Sequence, residues 1–179
     1  LKDDALQNSG SFKIRGVACE VYMAMIAHIE RIDELLDSGV AVPEQPFYIV
    51  TQTDGNHGIA MIEAVAIIVH NQMILRPNLA KYIRRIEPIV FTIEALSEAK
   101  RVRMYEALGH YRKAAGDNSK GNIILRRDYL DAKNARKDFI AKNINNAVYM
   151  EHGGYNIMCG HASIGIEIDQ QLTEMGVGQ

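Results

Sequence analysis

The sequence predicts an α/β protein with a parallel, twisted sheet and helices on both faces. Three observations lead there. Short runs rich in β-branched and aromatic residues recur along the chain: "FYIVT", "QMILR", "PIVFTI" and "NIILR". The stretches between them carry apolar residues at helical spacing. Strands separated in this way by helical crossovers pair in parallel.

The elements follow in order. From Ile14 to Leu36, apolar residues recur at Val17, Val21, Met25, Ile29, Ile32 and Leu36, which predicts an amphipathic helix stopped by Ser38-Gly39. Pro43 and Pro46 mark a loop, and 47–51 is the first, buried strand. His57 to His70 is apolar nearly all round, the pattern of a helix packed on both sides. The reading continues with a second strand over 72–76 ended by Pro77, a helix over 80–86 and a third strand over 88–93. A long amphipathic helix over 95–115, a turn at Gly116-Asp117-Asn118 and a fourth strand over 122–126 come next. Residues 128–152 are polar and helical in part, and 163–175 form a closing helix. This divides the chain into a segment over 1–40, a small α/β domain over 41–127 and a return segment over 128–179.

Apolar residues make up 47% and charged residues 23%, so there is material for a core. The net charge is -2, with Lys and Arg dispersed, unlike the basic stripe of a nucleic-acid binder. No uninterrupted apolar stretch reaches the length of a bilayer span, and "LKDDALQNSG" is not a signal peptide, so no membrane partner is expected. Cys19 and Cys159 are too few and too distant for a disulfide framework, which fits a reducing, cytoplasmic setting. The abrupt start at "LKDDAL" and the end on "MGVGQ" read as an excised piece, truncated at both ends.

Chemistry concentrates in two stretches. "TQTDGNHG" (51–58) follows the first strand, where parallel sheets bind ligands, and its glycines flank Asn56-His57 in a turn that must approach something closely. "NSGSFKIRG" (8–16) places Lys13 at the start of the first helix, beside Arg15 and a positive dipole end. Both favour the neutral amine, which can form a Schiff base with an aldehyde. A plain solvated lysine with Ser11 as the helix cap is the bland alternative.

Taken together, "SGSFKIRG" and "DGNHG" resemble the fold-type II pyridoxal-phosphate (PLP) enzymes, of tryptophan-synthase-β-like fold, and within them the serine/threonine dehydratase group. That group shows a Ser-Phe-Lys-x-Arg-Gly element and a Ser-x-Gly-Asn-His-Gly loop. "GHASIGIEI" (160–168) is similar to its Gly-Gln-Gly-Thr-Ile-x-x-Glu-Ile stretch, with Ala162 for a glycine and Ser163 for a threonine. "MILRP" (73–77), Lys81 and "IVFTI" run in the order of the family's strand, proline, lysine and next strand. The resemblance implies a PLP cofactor held by Lys13, packed on Phe12 and hydrogen-bonded at its ring oxygen by Asn56. It also implies that Ser11, Thr53, Gly55 and His57 grip the substrate carboxylate, and that Lys13 acts as base at Cα.

Asp54 departs from the dehydratases. "TDGNHG" and "GGYNIMCGH" (153–161) are similar to diaminopropionate ammonia-lyases, where the loop aspartate is a second acid/base that opens both substrate enantiomers to reaction. The implied activity is β-elimination and deamination of serine, threonine or 2,3-diaminopropionate to a 2-oxo acid and ammonia, in a homo-oligomer. The family's glycine-rich phosphate cup is not visible in the chain, and this favours the alternative: a catalytically silent fragment or derivative that at most binds amino-acid-like ligands. His152, Cys159 and His161 match no zinc spacing. Met23, Met25, Met61 and Met73 read as core filling, and Arg84, Arg85, Lys100, Arg101 and Arg103 as solvated residues on polar helix faces.

Overall fold

The protein is described from a computed structural model covering residues 12–116, 119–151, 153 and 155–174. The elements run α1 (Lys13–Asp37), β1 (Phe47–Gln52), α2 (Asn56–Leu75), a 3-10 turn (Pro77–Leu79), α3 (Ala80–Ile83) and β2 (Ile86–Ile93). They continue with α4 (Glu98–Ala115), β3 (Asn122–Arg126), α5 (Tyr129–Lys142), β4 (Ala147–Tyr149) and α6 (Tyr155–Glu174).

The four strands form one parallel sheet in the order β3-β2-β1-β4. Val50 of β1 lies opposite Ile89 of β2 on one side and Tyr149 of β4 on the other. Successive side chains on a strand point to opposite faces. Ile49 and Val90 therefore join the core made with α1, α2 and α4, while Val50, Ile89 and Phe91 pack towards Ala132 and Phe139 of α5. Helices cover both faces, as the sequence predicts. α6 packs on α1 rather than on the sheet.

Gly39, at φ +68°, ends α1 where the sequence places the stop; Val40 N–H donates to Leu35 O (2.8 Å) and Gly39 N–H to Leu36 O (3.1 Å). The first and fourth predicted strands correspond to β1 and β3. The expected strand over 72–76 is instead the last turn of α2, with Gln72 buried and Ile74 and Leu75 exposed. A short apolar run is ambiguous between strand and buried helix, and here it continues the helix already under way. The "MILRP" part of the family resemblance therefore does not mark a strand. Its place in the sheet is taken by β4, from the polar 128–152 stretch. β4 is held by the Arg136 guanidinium over the Tyr149 ring (4.0 Å) and by Met150 N–H donating to Val50 O (2.8 Å). The closing helix also begins earlier than expected, at Tyr155.

α2 is long and apolar enough, by length and composition, to cross a membrane, although Glu63 interrupts its apolar run. Most of it is buried against α1 and α4, and its Glu63 Oε1 lies within hydrogen-bonding distance of His110 Nδ1 (2.9 Å). Met25 and Met61 are core residues and Met73 packs against the core, but Met23 is exposed.

At the amino end of β1 the His28 ring lies flat on Phe47, with centroids 3.9 Å apart and planes 8° from parallel. Burial, reinforced by the Arg31 charge, pushes the His28 pKa down to about 4. An unfolded imidazole binds its proton near about pH 6.5, so between the two values the unfolded chain binds more protons. The stability due to His28 is full above the unfolded value and is lost as pH falls through the folded one. Thermal unfolding at about pH 7 and about pH 4.5 should show His28→Phe, which keeps a ring on Phe47, losing less melting temperature on acidification than the parent. Equal losses would refute the assignment.

Candidate functional site

The chain leaves β1 into Thr53-Asp54-Gly55, and α2 opens at Asn56. Gly55 has φ +153°, a conformation that side chains avoid, and a Cβ there would lie 2.6 Å from Lys100 Cδ. Its N–H donates to Thr53 Oγ1 (3.1 Å), and its carbonyl accepts from Gly58 N–H (3.0 Å) and Ile59 N–H (3.2 Å). The close approach foreseen for this loop is therefore made, in part, by Lys100 of α4, whose Nζ also donates to Asp54 O (3.2 Å). Thr53, Gly55 and His57 are buried, Asn56 is half-buried and Asp54 is exposed.

Lys13 is the first residue of α1. Three contacts fix the direction of that helix. Gly16 lies against Ile157 and His161, Glu20 against Glu151 just beyond β4, and His28 against Phe47 at the start of β1. α1 thus runs opposite to the strands, and Lys13 stands at their carboxyl ends, the same end of the sheet as Asp54, Gly55 and Asn56. Phe12 precedes the helix without making a side-chain cap, and its ring centroid is 5.1 Å from Lys13 Nζ and 5.2 Å from the His161 ring. Desolvation, and then the Lys13 charge, push the His161 pKa down. Ser11 and His152 lie outside the described residues, so the substrate-binding role expected of Ser11 has no structural counterpart here.

Two sequence motifs turn out to be packed on each other. Arg15, in "SFKIRG", makes a bidentate pair with Glu167, in "GHASIGIEI": Nη1 to Oε1 at 2.7 Å and Nη2 to Oε2 at 2.9 Å. Arg15 Nη1 also donates to Ser163 Oγ (3.3 Å), and that hydroxyl donates to Gly160 O (2.8 Å). Beside this pair the two backbones touch, since a Cβ on Gly160 would lie 2.3 Å from Arg15 O and one on Gly16 would lie 2.6 Å from Ile157 O. The Arg15 charge expected to act on Lys13 is matched by the Glu167 carboxylate, so its field at the amine is weaker than the sequence alone implies.

Other groups at this end were not singled out from the sequence. Lys100, assigned there to a solvated face, is half-buried against the loop. The signal was available: α4 follows β2, so its first turn must sit at the carboxyl end of the sheet. Glu20 lies within α1's apolar pattern and gave no signal. Burial raises its carboxyl pKa; a hydrogen bond from the Glu151 backbone opposes this and the Glu151 charge adds to it. Among the described residues no three His, Cys, Asp or Glu side chains converge as a metal site would require.

The α1–α6 contact makes a direct prediction. Gly160→Val forces a side chain into the Arg15 backbone and is expected to lower stability by about 1–3 kcal/mol in urea unfolding. Gly165→Ala on the same helix, where a Cβ meets nothing within 4 Å, should not. If both behave alike, the two helices do not touch as described.

Comparison with known proteins bears on the fold. The structure aligns with holo diaminopropionate ammonia lyase from Escherichia coli at a TM-score of 0.65 and 16% identity, covering 98% of this chain and 40% of that one. The same enzyme in complex with D-serine aligns at 0.64 and 16%, again over 98% and 40%. A pyridoxal 5'-phosphate-dependent aspartate racemase aligns at 0.58 and 19% identity, over 95% of this chain and 39% of that one. The chain thus spans about 40% of the length of the enzymes it resembles. No curated protein matches it. The sequence matches the family of pyridoxal-phosphate dependent enzymes over residues 1–176, nearly its whole length, and the chain belongs to that family.

Proposed function

We propose that the protein is a PLP-dependent ammonia-lyase or dehydratase. It carries out β-elimination and deamination on a small β-substituted amino acid, either serine or threonine, or 2,3-diaminopropionate. The observation that carries this reading is the placement of the Lys13 amine and the Asp54–Asn56 loop at one end of the sheet, on elements locked together through the core. By chemical type the residues at this end suit the aldehyde and ring of the cofactor. Lys13 offers the amine that condenses with an aldehyde, Phe12 lies beside it, and Asn56 offers an amide for the ring oxygen. Bound PLP would supply the electron sink for charge developing at Cα.

The chain's own groups then have distinct tasks. The amino end of α2, twenty residues long, attracts a carboxylate through its dipole and its first N–H groups, around Gly55, Asn56 and His57. Lys100 adds a full positive charge beside that loop. Lys13 is the group that would take the proton from Cα. Asp54, exposed at the loop tip, is the group that would exchange a proton from the opposite side and so admit D-substrates. The reading carries an amino-acid substrate rather than nucleic acid or a membrane as partner, a homo-oligomer and a cytoplasmic setting. The absence of a glycine-rich cup for the cofactor phosphate from the 179 residues favours a second reading, in which the chain keeps the fold and binds amino-acid-like ligands without turnover.

Mixing the protein with PLP separates the two. The first reading predicts a visible absorption band that Lys13→Ala abolishes, and borohydride reduction that fixes the cofactor mass on the peptide containing Lys13. Labelling elsewhere, or none, would overturn it. Given the band, ammonia release from L- and D-serine should respond unequally to Asp54→Asn, with L-substrates spared and D-substrates impaired. Equal loss for both hands would remove Asp54 from the chemistry.

A further inference from the structure

A cleft of about 370 Å³ opens at the opposite end of the sheet. Its base is the start of the strands, where Phe47 N–H donates to Arg85 O (2.9 Å) and Tyr48 N–H to Asn146 O (2.7 Å). β1 is six residues long, so about 20 Å of strand separates this cleft from the Asp54 loop. The volume falls within the range of about 300–1,000 Å³ usual for small-molecule sites.

The lining has two characters. Ile32 and Leu35 of α1, with Val42 and Pro43 of the following loop, make an apolar wall. Arg31 of α1 and Arg85 after α3 bring two guanidinium groups, and Gln45 and Asn145 bring amides. Arg85 Nη1 donates to Glu44 O (3.2 Å), which orients the guanidinium and leaves its remaining donors for another acceptor. The Gln45 side chain is fixed by a hydrogen bond from Asn146 Nδ2. His28 is held flat against Phe47 in its neutral form and adds no charge near neutral pH. Among the described residues no carboxylate lines the cleft.

We propose that this cleft binds a small organic monocarboxylate with a branched apolar body. The carboxylate engages the Arg31 and Arg85 guanidinium groups, and the body packs on Ile32, Leu35 and Val42. A ligand ammonium would meet two positive charges and no carboxylate, so free amino acids are rejected. The site is thereby distinct in chemistry, as well as in place, from the amino-acid site at the other end, and it does not depend on how that end is read.

The test is a titration followed by amide chemical shifts, with 4-methyl-2-oxopentanoate as probe and L-leucine and 4-methylpentanamide as controls. The probe should produce saturable shifts at His28, Gln45 and Asn146 in the millimolar range or below, with both controls at least about tenfold weaker. Losing a charge-assisted contact in Arg31→Gln or Arg85→Gln should weaken the probe by at least about tenfold. Arg31 is exposed on α1, so its variant should keep the parent spectrum in the absence of probe. The proposal fails if the probe gives no saturable shifts at these positions, if Arg31→Gln binds as tightly as the parent, or if L-leucine binds as well as the oxo acid.

Discussion

Where α1 crosses α6, at Gly16 and Gly160, there is no room for a side chain, and the position of the turn carrying Lys13 depends on that crossing. Gly16 and Gly160 let the backbones meet, and the Arg15–Glu167 pair closes beside them with side-chain exposures of 10% and 34%. A partly buried pair of this kind adds little net stability, because desolvation offsets most of its attraction, but losing one partner strands a charge. Its contribution is therefore one of register. The pair sets how far α1 is advanced along α6 and hence where the turn carrying Lys13 lies.

Sheet topology sets the other half of the geometry. β1 lies between β2 and β4, so the chain leaves β1 in one direction, through α2 to β2, and returns through α5 to its other side. The crevice of such a parallel sheet opens where the direction reverses, at the strand carboxyl ends. Thr53 to Asn56 stand there because β1 ends at Gln52, and the loop after β4 joins them because Met150 is tied to Val50. Thr51 Oγ1 donates to Met150 O (3.2 Å) and reinforces the same join. The opposite polarity of α1 and the strands gives the molecule two chemically different ends, one with an amine and a helix dipole and one with two arginines lining a cleft.

Much of this was legible in the sequence, and the failures have physical causes. α1, β1, β3 and the Asp54–Gly58 loop were readable because local signals agree: a one-faced apolar stripe, β-branched runs, and glycines where the backbone must turn. The 72–76 run misled because an apolar segment as short as "MIL" carries no period of its own. β4 was invisible because it has three half-buried residues and takes its identity from pairing with Tyr48, Ile49 and Val50, far away in sequence. The same distinction runs through the site. Lys13 and Asn56 stand in local motifs and could be named, whereas Glu167 and Lys100 acquire their roles only from neighbours brought in by the fold. The Arg15–Glu167 pair joins two motifs that could be recognised separately, but not as partners.

A double-mutant cycle on that pair tests the account most directly. With Arg15→Ala, Glu167→Ala and the double variant compared by urea unfolding, the account predicts a coupling energy of about 1 kcal/mol or more between the two positions. Single losses that add to within about 0.3 kcal/mol would show that α1 and α6 are not fastened there, and the register of the Lys13 turn along α6 would lose its basis.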